Sequence, residues 1–145
     1  MEILFQAYFR CLRHSSKKNE KRIHNAGSRQ WIGSSNKATE CEKWMMRALQ
    51  NEKLKQRLDK PIECDISAKF IFYFPKTVYY TKKGERSKSL SDLDNLTQLP
   101  LDCLQKSGVI LNDTLVCSFD GTRRMPIDGT DYYIKIELTK FEGDL

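Results

Sequence analysis

The chain has 145 residues, of which 39% are hydrophobic and 30% are charged, and its formal net charge at pH 7 is +6. This size fits one domain with a modest core, which we assign to residues 1–145, and the composition is that of a globular chain rather than a disordered one. No apolar run approaches the roughly 20 residues that a membrane-spanning helix needs, so we expect no membrane partner.

The charge is divided unevenly along the chain. Residues 1–60 contain 14 Lys and Arg against 6 Asp and Glu, whereas residues 91–145 contain 5 against 10. A basic first half and an acidic second half indicate a polyanionic partner held near an acidic site. The alternative is a solvated charged surface with no partner.

The cysteines and the N-terminus indicate the compartment. Five scattered cysteines with no CxxC pair are typical of reduced thiols. The first residues, MEILFQAYFRCLRH, lack the basic leader and small-residue cleavage site of a signal peptide. We therefore expect a cytoplasmic protein.

The first half of the chain predicts a strand, a loop and a helix. Alternating apolar residues indicate a strand over residues 2–10. A basic, loop-like segment, HSSKKNEKRIHNAGSRQ, leads into a possible short strand, RQWIGSS. A helix is expected from Ser35 or Asn36 to about Asp59, with Pro61 beyond its end.

The second half predicts three more strands and a short helix. The clearest strand is PIECDISAKFIFYFP at 61–75, with apolar residues at even positions. The basic loop TKKGERSKS precedes a helix within residues 95–106, whose start Pro100 should delay. Strands are expected at 114–121 and 131–139. The pattern favours an α+β fold in which helices cover one face of a sheet.

Acidic residues cluster in SLSDLDNLTQLPLDCLQKSGVILND, residues 89–113. In an extended segment, Asp92 and Asp94 would point the same way and could share a divalent cation with oxygen ligands. An EF-hand is excluded, because the loop lacks the required glycine and glutamate. The alternative is a turn or helix cap, for which Asp and Asn are common.

The same segment resembles the signature of the RusA family of Holliday junction resolvases. Asp92-Leu93-Asp94-Asn95 matches a D-x-D-N element, Asp102-Cys103-Leu104 a D-x-L element, and Gly108-Val109-Ile110 with Asp113 a G-V-I segment that ends in an acidic pair. Upstream, SSKKN and WIGSSNK resemble the family's S-K-K-N loop and I-G-S-S/K segment. The match is collinear over roughly residues 3–138.

The resemblance implies a fold, an activity and a site. It implies a homodimer with a single mixed β-sheet and helices packed on one face, which resolves four-way DNA junctions with Mg²⁺, or Mn²⁺ as a substitute. Carried over, Asp92, Asp94 and Asp113 are the catalytic, metal-binding carboxylates. Asn95 and Asp102 would be supporting residues rather than chemical ones, with Asp102 orienting a ligand or a lysine.

Basic residues on three segments are expected to contact DNA phosphates, and such contacts make binding depend on salt. They are Lys17, Lys18 and Arg22 in the first loop, Lys82, Lys83, Arg86 and Lys88 before the acidic segment, and Arg123 and Arg124 near the penultimate strand.

The chain departs from the family pattern at functional positions. Gln98 stands where members usually have a lysine beside the metal ligands, and Asn112 stands where the acidic pair usually begins. A cation from elsewhere, such as Lys106 or Arg124, could take over the missing charge. Two hypotheses therefore remain open: an active metal-dependent junction endonuclease, and a protein that binds branched DNA and cleaves it poorly or not at all. An unrelated acidic metal-binding module is a third.

Overall fold

The computed structural model describes residues 2–14, 21–26, 29–34 and 36–143, and from residue 21 to residue 38 it describes the backbone alone. Seven strands, three α-helices and a 3₁₀ turn lie in these ranges. In chain order they are β1 Ile3–Cys11, β2 Lys21–Ala26, β3 Arg29–Ser34, α1 Asn36–Lys55, β4 Ile66–Pro75, α2 Lys76–Tyr79, α3 Leu93–Lys106, the 3₁₀ turn Asp113–Leu115, β5 Val116–Ser118, β6 Arg123–Ile127 and β7 Tyr132–Lys140.

The main sheet is mixed and has β4 at its centre. On one side β4 pairs antiparallel with β7, which in turn pairs antiparallel with β1. On the other side it pairs in parallel with β5 near its start and with β6 near its end. Strands β2 and β3 form a separate antiparallel hairpin. The α+β class and the mixed sheet expected from the sequence are confirmed.

One face of the main sheet forms the hydrophobic core. Phe70 of β4 lies opposite Ile136 of β7, and Ile136 lies opposite Ala7 of β1, so alternate residues of three strands line up on one face. All three side chains are buried. Since successive strand residues point to opposite faces, the period of two in the sequence is a direct consequence of this register.

Helices α1 and α3 cover this face. Cys41, Met45 and Leu49 of α1 and Leu96, Cys103 and Leu104 of α3 belong to the same core cluster as the strand residues. Helix α1 contacts both β1 and α3. In the part of the chain that the structure describes, no helix combines the length and apolarity needed to cross a membrane.

Three boundaries differ from those expected. The segment expected to be a basic loop contains β2, because pairing with β3 outweighs the low apolar content of KRIHNA. Helix α1 ends at Lys55, before Arg57, which has a left-handed backbone conformation with φ 55°. The strand expected at 61–75 begins only at Ile66, and Cys64 is exposed.

The last part of the chain also differs. The strand expected at 114–121 is a 3₁₀ turn followed by the three-residue strand β5. Phe119, which lies within the expected strand, is 42% exposed. Strand β6 was not expected at all, since RRMPI has no clear alternation. The strand expected at 131–139 is confirmed as β7.

Pro100 does not delay the start of α3, contrary to expectation. The helix begins at Leu93 and continues through Pro100, which is buried. Proline supplies no N–H to the carbonyl of Leu96, four residues earlier, and this costs helix stability. Burial of Pro100 beside Leu96 and Leu99 in the core offsets the loss.

Gly108 ends α3 and sets the direction of the chain that follows. Its φ of 78° is left-handed, and the N–H of Val109 donates to the carbonyl of Leu104 at 3.0 Å. This is the usual helix termination by glycine. The ammonium of Lys53 approaches so closely that a Cβ at residue 108 would lie 2.9 Å from it. The turn leads directly to the 3₁₀ turn that begins at Asp113.

His14 is packed among aromatic rings at the end of the sheet. Its Nε2 lies 2.8 Å from the carbonyl of Tyr73, to which the neutral ring can donate. Phe72, Phe74 and Tyr132 contact the ring edge-on. Burial lowers the pKa of His14 to about 4, against the effect of its backbone hydrogen bonds. The imidazole is therefore neutral in the folded protein at pH 7.

This depressed pKa predicts a pH-dependent stability. Between about pH 6.5 and pH 4, the unfolded chain binds a proton at His14 that the folded protein does not bind, so stability falls as the pH falls through that window. We expect the loss to reach roughly 3 kcal/mol, from about 1.4 kcal/mol for each pKa unit. Urea unfolding at several pH values, for wild type and His14→Phe, measures it. An equal slope in both proteins would contradict the prediction.

Candidate metal and nucleic-acid site

Asp92 and Asp94 lie at the start of α3. Asp92 occupies the N-cap position with an extended backbone, and Asp94 lies in the first turn. The two aspartates therefore flank the first helical residue rather than alternate along an extended segment, as the sequence had suggested. Both side chains are exposed. Negative charge is favourable at this end of a helix, because the unpaired N–H groups give it a partial positive charge.

The sequence left helix capping open as the role of these Asp and Asn residues, and Asp92 and Asn112 differ in this respect. The Asp92 carboxylate makes no capping hydrogen bond, although it stands at the N-cap. By contrast, the Asn112 side chain caps the 3₁₀ turn by accepting a hydrogen bond from the N–H of Thr114 at 2.9 Å. Asn112 therefore has a structural role, and the Asp92 carboxylate is not used for capping.

Asp113 is the first residue of the 3₁₀ turn and is also exposed. Its backbone N–H donates to Oε1 of Gln105 at 3.0 Å, which ties the turn to the last turns of α3. Residues 94 and 105 are about 16 Å apart along a regular α-helix. The hydrogen bond therefore holds the Asp113 backbone beside the C-terminal part of α3, away from its start.

The three aspartates agree in chemistry with a divalent-metal site but are not gathered into one. Exposed carboxylate oxygens are the ligands that Mg²⁺ and Mn²⁺ prefer. However, among the described residues, no three His, Cys, Asp or Glu side chains are grouped so that they could hold a metal ion. The assignment of all three as metal ligands stays a prediction.

Other expected site residues lie along α3. Asn95 is half-buried, Gln98 is exposed one turn after Asp94, and Asp102 is half-buried two turns after it. The start of the helix is held by Thr97, whose hydroxyl donates to the Asp94 carbonyl at 2.9 Å. Asp102 lies near Lys106, since its charge contributes to the raised pKa of that ammonium.

Lys106 is engaged away from the acidic start of α3. Its ammonium forms a salt bridge and hydrogen bond with the Glu42 carboxylate of α1. That hydrogen bond is the main cause of the raised pKa of Lys106. Lys106 is thus a link between two helices rather than a cation beside Asp92 and Asp94.

An exposed basic turn precedes the acidic residues. An isolated antiparallel bridge joins Tyr80 to Arg86, and Gly84 forms the bend with φ 82°. The N–H of Thr81 donates to the carbonyl of Glu85 at 2.7 Å. Four exposed cations belong to this basic turn: Lys82, Lys83, Arg86 and Lys88. Their expected position before the acidic segment is therefore an exposed turn that a phosphate could reach.

The first-loop cations expected to contact DNA cannot be placed in the same way. Lys17 and Lys18 lie outside the described residues. Arg22 lies in β2 opposite Gly33, and its side chain is outside the described part. Their DNA contacts stay predictions.

Arg123 and Arg124 lie in β6 and differ in environment. Arg123 is exposed, whereas Arg124 is half-buried and its Nη1 donates to the carbonyl of Ser91 at 2.9 Å. Arg124 is therefore held one peptide unit from Asp92. In the described part of the chain, no salt bridge joins it to an aspartate.

The comparisons identify the family. A turn with four exposed cations precedes the exposed acidic start of α3, and a cluster of exposed cations is the usual electrostatic feature of a nucleic-acid-binding surface. The family model described as Endodeoxyribonuclease RusA matches residues 12–137, most of the chain. The chain belongs to the RusA endodeoxyribonuclease family, which confirms the resemblance and implies the nuclease activity of a Holliday junction resolvase. A search of curated proteins found no match.

Two contacts at this site were missed by sequence reasoning. Gln105 supports Asp113, and the Ser91 carbonyl receives Arg124. Neither carries a sequence signal, because one is an ordinary exposed glutamine and the other is a backbone group. Both depend on which elements the fold brings together.

Removal of the Gln105 side chain should loosen Asp113. Gln105→Ala deletes one hydrogen bond to an exposed amide, worth about 1 kcal/mol, so exchange of the Asp113 amide hydrogen should accelerate by roughly fivefold. Hydrogen exchange followed by NMR measures this. Gln98→Ala, at an exposed glutamine two turns earlier on α3, serves as the control. Equal exchange in both variants would show that Gln105 does not hold the turn.

Proposed function

We propose that the protein is a divalent-metal-dependent endonuclease that binds four-way DNA junctions and resolves them by paired nicks, and that residues 1–145 act as one domain. Membership of the RusA family supports the nuclease class. The observation that carries the rest is the exposed acidic start of α3, directly after a turn with four exposed cations.

The two groups of charges have separate tasks in this proposal. Lys82, Lys83, Arg86 and Lys88 would attract the phosphate backbone without regard to sequence. Asp92, Asp94 and Asp113 would hold Mg²⁺, or Mn²⁺ in its place. A bound divalent ion would lower the pKa of a water and neutralise charge that develops on the phosphate.

The positions of Asp92 and Asp94 support this division. Asp92 and Asp94 lie at the N-terminal end of α3, which the basic turn precedes. A DNA backbone bound by the turn would therefore pass near both carboxylates. Asp113 comes from a separate element that contacts α3. Its carboxylate makes no salt bridge with described residues, and it would have to move toward the start of α3 to become a third oxygen ligand.

A homodimer follows from the symmetry of the substrate. A four-way junction has near two-fold symmetry, and a two-fold dimer can place one active site on each of two strands. Each protomer would nick one strand. The proposed enzyme acts in the cytoplasm in DNA recombination and repair.

Gln98 favours a second candidate function. It is exposed one turn after Asp94, where family members usually present a lysine, and an amide cannot stabilise phosphate charge as an ammonium can. A protein that kept the basic turn and lost this charge would bind branched DNA with little cleavage. The two candidates share the same surface and differ only in chemistry.

Cleavage of a synthetic four-way junction in Mg²⁺ and in Mn²⁺ separates the candidates. We expect symmetric nicks from the wild type and a rate lower by at least about 100-fold in Asp94→Asn, because one metal ligand is lost. Junction binding should be equal or tighter, since a negative charge near phosphate has been removed.

The matched control is Asp59→Asn, an exposed aspartate after the end of α1. It should cleave as the wild type does. Normal cleavage by Asp94→Asn would end the metal-site assignment. Tight junction binding without nicks from the wild type, in either metal, would establish the second candidate instead.

The basic turn predicts the salt dependence of binding. Lys82→Ala with Lys83→Ala should weaken junction binding and reduce the slope of log K against log[salt] by up to about two units, one for each lost phosphate contact. The slope is measured by fluorescence anisotropy in Mg²⁺-free buffer, so it does not depend on cleavage.

The control for this experiment is Lys55→Ala with Lys60→Ala. Both lysines are exposed and come from the part of the chain near the C-terminal end of α3, opposite to its acidic start. The nearby Lys53 shows this position, since its ammonium lies 3.4 Å from the Ser107 carbonyl. An equal change of slope in both double variants would place the basic turn outside the DNA contact.

A further inference from the structure

Arg124 links the centre of the sheet to the acidic start of α3. It lies in β6, which pairs in parallel with β4 so that Arg124 is opposite Phe72, a core residue that is 1% exposed. From this rigid position its Nη1 reaches the Ser91 carbonyl, 33 residues away in sequence, at 2.9 Å. The contact is partly buried, and this strengthens it relative to one in bulk water.

The other basic residues are less suitable than Arg124 to replace the positive charge that is missing at Gln98. Lys106 is paired with Glu42. Arg123 precedes Arg124 in the same strand, where successive side chains point to opposite faces, and it is exposed. The cations of the basic turn are exposed, and the proposed function already assigns them to sequence-independent binding of the DNA backbone. Arg124 alone among these candidates has a described bond to the segment that carries Asp92.

A guanidinium suits two simultaneous contacts. It has five N–H donors in a planar arrangement and stays charged at all relevant pH values. The bond to Ser91 uses one nitrogen. Within the described residues no salt bridge occupies the others, so donors remain for a phosphate oxygen beside Asp92. The positive charge would also reduce the repulsion between that phosphate and the two carboxylates.

We propose that Arg124 is a positioning residue that holds the Asp92–Asp94 segment through Ser91 and supplies there the positive charge that Gln98 cannot provide. This inference rests on the proposed endonuclease function and deepens it. Arg124 thereby replaces, from a different element, the lysine that the family usually carries on the helix.

The first test compares Arg124→Gln with Arg47→Gln, a matched loss of charge at an exposed position of α1 that belongs to no proposed contact surface. Arg124→Gln should accelerate amide hydrogen exchange at residues 92–96 and lower the single-turnover cleavage rate by about 100-fold, the usual cost of one lost charge-stabilising donor. Junction affinity should change by less than about threefold, as a loss of one phosphate contact at most. Arg47→Gln should leave exchange and rate unchanged.

The second test asks whether charge is the reason. Arg124→Lys keeps the charge and should retain most of the rate. Gln98→Lys introduced into Arg124→Gln should recover at least about tenfold, because the ammonium restores charge at the usual family position. A structural role alone would not be rescued by a cation on another element.

The outcomes separate this inference from the proposed function. If the wild type makes no nicks in Mg²⁺ or Mn²⁺, the proposed function fails, and hydrogen exchange still tests the link to Ser91. If the wild type nicks junctions and the two arginine variants behave alike, the role of Arg124 is overturned. A rate lost in Arg124→Gln and restored by neither lysine would overturn it as well. Circular dichroism at the assay temperature establishes that each variant is folded.

Discussion

Strand β4 is the element on which the rest of the structure depends. Its alternate side chains, from Ile66 to Phe74, are buried in the core, and it carries the pairing of β7 on one side and of β5 and β6 on the other. Such a strand fixes three things at once. Its pairing with β7, which pairs in turn with β1, aligns the core residues of these three strands. Its C-terminal end leads into α2 and then the basic turn. Its parallel pairing with β6 fixes the position of Arg124.

Helix α3 packs on this sheet and carries the acidic residues of the candidate site at its N-terminal end. Its buried residues Leu96, Leu99, Cys103 and Leu104 fix its rotation against the sheet, so Asp94 and Gln98 must face solvent. The same burial retains Pro100 inside the helix despite its missing N–H. Core packing sets the position of the helix, and within its first turns the Thr97 hydroxyl donates to the Asp94 carbonyl. The one described bond from the sheet to this segment falls on the Ser91 carbonyl.

Much of the fold could be predicted because it depends on local periodicity. Strands β1, β4 and β7 follow from apolar alternation, and α1 follows from apolar residues at helical spacing, such as Cys41, Met45 and Leu49. Strands β2 and β6 could not be predicted, because each depends on its pairing partner rather than on its own apolar pattern. The partner of β2 is β3, which has only a weak strand pattern, and the partner of β6 is β4, which is distant in sequence. Asp92 and Asp94 were found as a pair, whereas their support by Arg124 and that of Asp113 by Gln105 depend on the tertiary register.

The separation of Asp113 from the start of α3 has a physical reason. Three carboxylates held close together without a cation would repel one another, and the hydrogen bond to Gln105 holds the backbone of Asp113 beside the other end of α3. Asp113 rests on Gln105 through a single exposed bond, which a divalent charge could outweigh. In the proposed function, assembly of Asp92, Asp94 and Asp113 as ligands would be coupled to metal binding. Arg124 would limit the charge repulsion between the Asp92–Asp94 pair and an approaching phosphate.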